Sequence, residues 1–170
     1  MASMVAAVVD ERAERVSGIR TGGQAMSESK SGAAATFTST FDLHALAGQF
    51  PPSADTMLLD MRLTDEPAAS SRLFRIYKPV PAHFHKTCDE YLQVILGRGK
   101  FVVDGGEPIE LGPGRLLFFR RNIVHSIPEV MEGPLVVFSV DTPRRDPADV
   151  HFVNPADGTA ATFIRTIQRY

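Results

Sequence analysis

Residues 82–99, AHFHKTCDEYLQVILGRG, set two histidines one residue apart, a glutamate five residues later and a glycine pair just beyond. Histidine alternating with an apolar residue has the period of a β-strand. On a strand, His83 and His85 project from the same face, with Cα atoms roughly 6.8 Å apart. Imidazoles so placed are suited to converge on one ion. Glu90 then opens a second apolar run, EYLQVIL, which Gly97 ends.

The surrounding chain repeats this texture. TMLLDMRL, RLFRIYKPV, GKFVVDGG, PIELG, RLLFFRR, LVVFSVD and ATFIRTI each read as a short strand. DGG at 104–106 and GPG at 112–114 are turn signals between them. Short strands at a spacing of about ten residues predict an all-β sandwich or small barrel. Before them, FDLHALAGQF at 41–50 predicts a short helix stopped by Pro51 and Pro52. Residues 1–35, rich in Ala, Ser and Gly with mixed charges, predict a flexible N-terminal arm ahead of one domain over 36–170. Gly97 and Gly99 begin a G-x-G, but Val102 stands where a dinucleotide fingerprint needs its third glycine, and no helix pattern follows.

The chain has 170 residues and a formal net charge of −2. That length fits one domain with a substantial core. No basic excess points to nucleic acid, and no polybasic run or long apolar segment points to a membrane. The first residues lack the basic start of a secretory signal. Cys88 is the only cysteine, so no internal disulfide can form and a reducing, cytoplasmic setting is expected.

Far from the first histidines, LGPGRLLFFRRNIVHSI carries His125. Three imidazoles and one carboxylate suit Zn, Fe, Ni or Mn. On an octahedral ion they would leave two positions open, as catalytic sites do. These two stretches resemble the two sequence motifs of the cupin superfamily. His83-x-His85, four residues, Glu90, six residues and Gly97 match the first; Gly114 through His125 match the second. Departures are Tyr77 for a usual glycine, Arg120 for a proline and Asn122 for a glycine. Asparagine tolerates the left-handed conformation that such a glycine adopts.

The resemblance covers about residues 55–142 and implies a double-stranded β-helix, a jelly-roll-like barrel. It also implies His83, His85, Glu90 and His125 as ligands of one divalent transition metal ion. Cupins with this ligand set include dioxygenases, isomerases, decarboxylases and lyases, so metal-dependent catalysis on a small organic molecule is expected. A non-catalytic cupin that binds or senses a small ligand is the alternative. Tyr77 is the candidate for a general base, and Arg75, Phe118 and Arg120 are candidates for substrate contact. His44 and His151 lack partners in the pattern and read as ordinary histidines, and Cys88 reads as a bystander thiol in a loop. DTPRRDPADVHF, 141–152, closes the barrel mouth, reaches a second subunit or is a solvated loop. Open strand edges predict a homodimer, which light scattering at micromolar concentration tests.

Overall fold

The computed structural model describes residues 39–170; the arm expected over 1–35 lies outside them. Asp42 caps a short helix, α1 (Leu43–Ala47), its carboxylate accepting the His44 and Ala45 amides at 3.0 Å. Nine strands follow: β1 (Leu58–Glu66), β2 (Ala69–Ile76), β3 (Val80–Phe84), β4 (Asp89–Val103), β5 (Ile109–Leu111), β6 (Leu116–Phe119), β7 (His125–Thr142), β8 (His151–Phe152) and β9 (Ile164–Arg169). A second short helix, α2 (Ala160–Phe163), leads into β9. The expected all-β fold and the helix before the strands are both present. ATFIRTI is corrected in part: its first half is α2 and only its second half is strand.

The strands form one rolled sheet in the order β5-β4-β7-β2-β1-β9, with β6 also on β4, and β3 on β7 and β8. The two longest strands, β4 and β7, pair antiparallel from Asp89↔Thr142 to Val103↔His125. β4 runs through Gly97 rather than stopping there, because Gly97 takes φ +75° and absorbs an irregularity within the strand. β9 lies beside β1 in parallel, pairing Leu58 with Ile164 and Arg62 with Arg169.

Where β1, β2 and the middle of β4 and β7 run under α1, both faces of this sheet are buried. Inside the roll, Leu58, Phe74, Ile76, Leu92, Val94, Leu135 and Val137 pack together. On the outer face, Leu59, Met61, Leu73, Ile95 and Val136 are covered by Leu46, Ala47 and Phe50 of the α1 segment. The lumen itself is divided. Toward the ends of β1 and β7 and the starts of β2 and β4, its lining turns polar: Asp60, Arg62, Arg72, Glu90, Ser139 and Asp141 are all buried.

Candidate metal centre

Register assembles the centre. His83 on β3 is the direct partner of His125 on β7, and their rings sit 4.4 Å apart. His85 lies one residue beyond β3. Glu90 is the second residue of β4 and brings its carboxylate from the neighbouring wall. All four side chains are buried, none more than 5% exposed. Nitrogens of His83, His85 and His125 lie within 4.8 Å of one another, close enough to share an ion. Glu90 Oε2 stands 3.2 Å from His85 Nε2 and 3.5 Å from His125 Nε2.

Each imidazole is locked through its other nitrogen. Nδ1 of His83 donates to Pro81 O at 2.8 Å, that of His85 to Asp149 O at 2.5 Å and that of His125 to Ile123 O at 3.0 Å. A carbonyl only accepts, so Nδ1 carries the proton and the lone pair is left on Nε2. Three such lone pairs and a carboxylate oxygen face one another in a dry interior. This arrangement of second contacts is typical of metal-ligating histidines. Phe119 stacks on His125 at 4.2 Å and 6°, and the Phe163 ring lies 4.8 Å from that of His83, so aromatic walls fix the rings further. Ser139 Oγ donates to Glu90 Oε1 at 3.0 Å and holds the carboxylate.

Burial, and then the neighbouring His125 and His85, push the His83 imidazole well below its ordinary range. Burial pushes the Glu90 carboxyl up, but the close His125 and His85 rings, which attract the carboxylate whenever they are protonated, and the charge of Arg145 outweigh it and hold Glu90 well below the usual carboxylate range. The consequence for His83 has a definite sign. Below about pH 6.5 the unfolded chain binds a proton at this histidine that the folded chain refuses. Stability of metal-free protein is therefore expected to fall as pH drops below that value. Melting temperatures of chelated wild type and His83→Gln between pH 7.5 and 5 check this. The wild type should show the steeper decline, and parallel curves would remove His83 as the cause.

The other candidates lie elsewhere. Arg75 has the outward parity of β2, and Tyr77, just past its end, continues that parity. Tyr77 OH donates to Pro51 O at 2.7 Å, and Arg75 donates to Pro51 O and Pro52 O at 3.0 Å, tying down the segment after α1. Neither faces the histidines, so the general-base assignment to Tyr77 and the substrate role of Arg75 are corrected. Tyr77→Phe is expected to leave metal content unchanged and to cost about 0.5–1.5 kcal/mol of stability through the lost hydrogen bond, measurable by urea unfolding. Phe118 is 47% exposed and packs on Tyr91 at 4.7 Å on the outer surface. Arg120 is exposed, in the turn before His125. The substrate role of Phe118 is corrected in the same way.

Asn122 does adopt the left-handed conformation, φ +67°, and its N–H donates to His85 O at 2.6 Å, joining the two motif regions. Cys88 is buried, and burial followed by the charge of Asp141 pushes its thiol up to about 12, so it stays protonated.

Two important residues were hidden in DTPRRDPADVHF. That segment folds back onto its own barrel. Arg145, 3% exposed, reaches inside and donates from Nη1 to His85 Nε2 at 2.9 Å, with Glu90 Oε1 at 3.9 Å. Asp149 supplies the carbonyl for His85, and its carboxylate accepts the Lys86 amide at 2.8 Å and the Thr87 amide at 2.9 Å. Burial pushes Asp149 up, but the Thr87 hydroxyl and these two amides outweigh it and bring its carboxyl down to about 2. The Asp/Arg/Pro density of the segment marked it as unusual, but nothing in its order pointed to the centre.

Residues 74–141 match the family model for the cupin domain. That stretch of the chain carries a cupin domain. An uncharacterized conserved protein with a double-stranded β-helix domain from Klebsiella pneumoniae shares 15% identity over 64% of this chain and 93% of its own, with a TM-score of 0.54. KdgF from Halomonas sp. shares 19% identity over 53% of this chain and 82% of its own, TM-score 0.48. The DMSP lyase DddQ from Ruegeria pomeroyi shares 17% over 53% of this chain and 48% of its own, TM-score 0.46. At these identities the likeness is one of fold. No curated protein matches the chain in sequence.

Proposed function

We propose that this chain holds one divalent transition metal ion (Fe, Mn, Zn or Ni) on His83, His85, Glu90 and His125 and is a metal-dependent enzyme for a small organic molecule, of the dioxygenase, isomerase or lyase type. One observation carries the metal assignment: three Nε2 lone pairs converge because each Nδ1–H is committed to a backbone carbonyl. A bound ion would supply Lewis acidity to a substrate oxygen. The protein's own part is orientation and exclusion of water. Ser139 sets the rotation of Glu90, Phe119 and Phe163 wall off solvent, and Asp149 holds His85 in register.

The step from metal centre to enzyme rests on that chemistry, since fold alone does not fix a reaction. Elemental analysis of protein purified without chelators or a nickel column, followed by a broad substrate screen, tests it. About one ion per chain and turnover of a small molecule are expected. Tight binding of an unchanged compound would instead make this a binding or sensing protein, and absence of metal would end the proposal. Iron would favour oxygen chemistry; zinc or manganese would leave the isomerase, lyase and binding readings open.

A further inference from the structure

Beside the histidines is a void of only about 20 Å³, lined by His83, Glu90, His125 and Arg145 among others. It is the size of one water or ion, and no organic molecule fits there. A second cavity of about 370 Å³ shares Arg145 and Ile164 with it and lies within the usual range for small-ligand sites. Four guanidiniums line this larger space: Arg62, Arg72, Arg145 and Arg169. Its remaining wall is mostly small and apolar, including Ala148, Val150 and Ala160.

The arginines are incompletely neutralised. Arg62 and Arg169 are direct partners across the parallel β1–β9 pair, and like charges side by side on a sheet destabilise it. Arg72 has Asp141 at 2.9 Å and Asp60 at 3.8 Å. Arg145 has Asp141 at 3.5 Å and Glu90 at 3.9 Å. Arg62 reaches only Asp65, at 3.5 Å, and Arg144 already holds that carboxylate at 2.7 Å. Arg169 makes no ion pair among the described residues. The side chains of Arg62 and Arg72 are 7% and 2% exposed, yet Nε of each has no hydrogen-bond partner among the described residues. Buried donors without acceptors are costly, and an oxyanion is the group that guanidinium forks match best.

The geometry points to this cavity as the binding site of a small organic anion, with its carboxylate or phosphate held by Arg62 and Arg169 and its apolar part against Ala148 and Val150. As a statement about substrate class, it rests on the proposed metal-dependent activity. Arg145, between the cavity and the histidines, is then the positioning residue that joins anion to metal centre. An ion on His85 Nε2 would occupy the lone pair that Arg145 now uses, leaving the guanidinium free to turn to the anion.

The test titrates the purified full-length chain with inorganic phosphate, acetate and glycerol, with sodium chloride at matched ionic strength as control. Melting temperature and the NMR signals of arginine Nε–H groups are followed, and metal content is measured on the same samples. A saturable response to phosphate or acetate, absent with chloride and glycerol, is expected, and the stronger of the two assigns the anion. Arg169→Ala, at an exposed position, should melt no lower than wild type without ligand and bind about tenfold more weakly. Equal binding by wild type and Arg169→Ala, or an equal response to chloride, overturns the assignment. Metal present without anion binding refutes this cavity and leaves the metal centre standing. Anion binding without metal supports the cavity and refutes the proposed activity.

Discussion

His125→Ala is expected to lower metal content at least tenfold, from about one ion per chain to near zero. His125 pairs in register with His83, approaches Glu90 Oε2 at 3.5 Å and stacks on Phe119. Its removal leaves two imidazoles whose bond vectors were set to meet a third. The smaller side chain also opens a hole beside Phe119 that water can enter, so the remaining ligands lose their dry surroundings as well. His83→Ala should act in the same way. Elemental analysis of both variants, alongside circular dichroism to show that they fold, is the measurement. Full occupancy in both would sink the ligand assignment.

Gly97→Ala should be the most destabilising glycine-to-alanine change among the described residues. Gly97 has φ +75°, and a Cβ built there would lie 2.3 Å from Pro134 O and 2.5 Å from Glu132 O. Both obstacles are backbone atoms of β7 and cannot turn aside. The left-handed conformation alone costs an L-residue about 1–2 kcal/mol, and a clash with a fixed strand should take the total beyond about 3 kcal/mol. Gly105→Ala is the internal control: its φ is +68°, but nothing lies within 4 Å of the added carbon. That variant should lose only the conformational part. Urea midpoints for the two proteins separate the contributions. If Gly97→Ala loses no more than Gly105→Ala, the tight approach of β4 to β7 is wrong.

The contrast also explains what could be read in advance. Spacing revealed the histidines, Glu90 and the special glycine, because ligands and left-handed turns demand particular residue types. Parity was not readable. In RLFRIYKPV, one alternate set is Arg72, Phe74 and Ile76, and the other is Leu73, Arg75 and Tyr77. Each set mixes apolar and charged residues, since the lumen has a polar end and the outer face is covered by α1. A sheet buried on both sides loses the inside–outside alternation that assigns a face, so Tyr77 and Arg75 could not be told from lumen residues. Arg145 and Asp149 were hidden for a different reason. They act from a loop, and only closure of the loop onto the barrel gives them neighbours.

The parallel pairing of β1 with β9 has a consequence for how the chain reaches this structure. Hairpin contacts such as β1 with β2, or β4 with β5, join residues close in sequence and can form early. Leu58 and Ile164 are separated by 106 positions (164 − 58), and that loop must be closed before either strand gains anything from the other. Non-local topologies of this kind fold in roughly milliseconds to seconds. The seam between β1 and β9 should close late, and Arg62 and Arg169 meet only there. An anion that bridges them would favour the closed seam over any intermediate that lacks it, so it should slow unfolding more than it speeds folding.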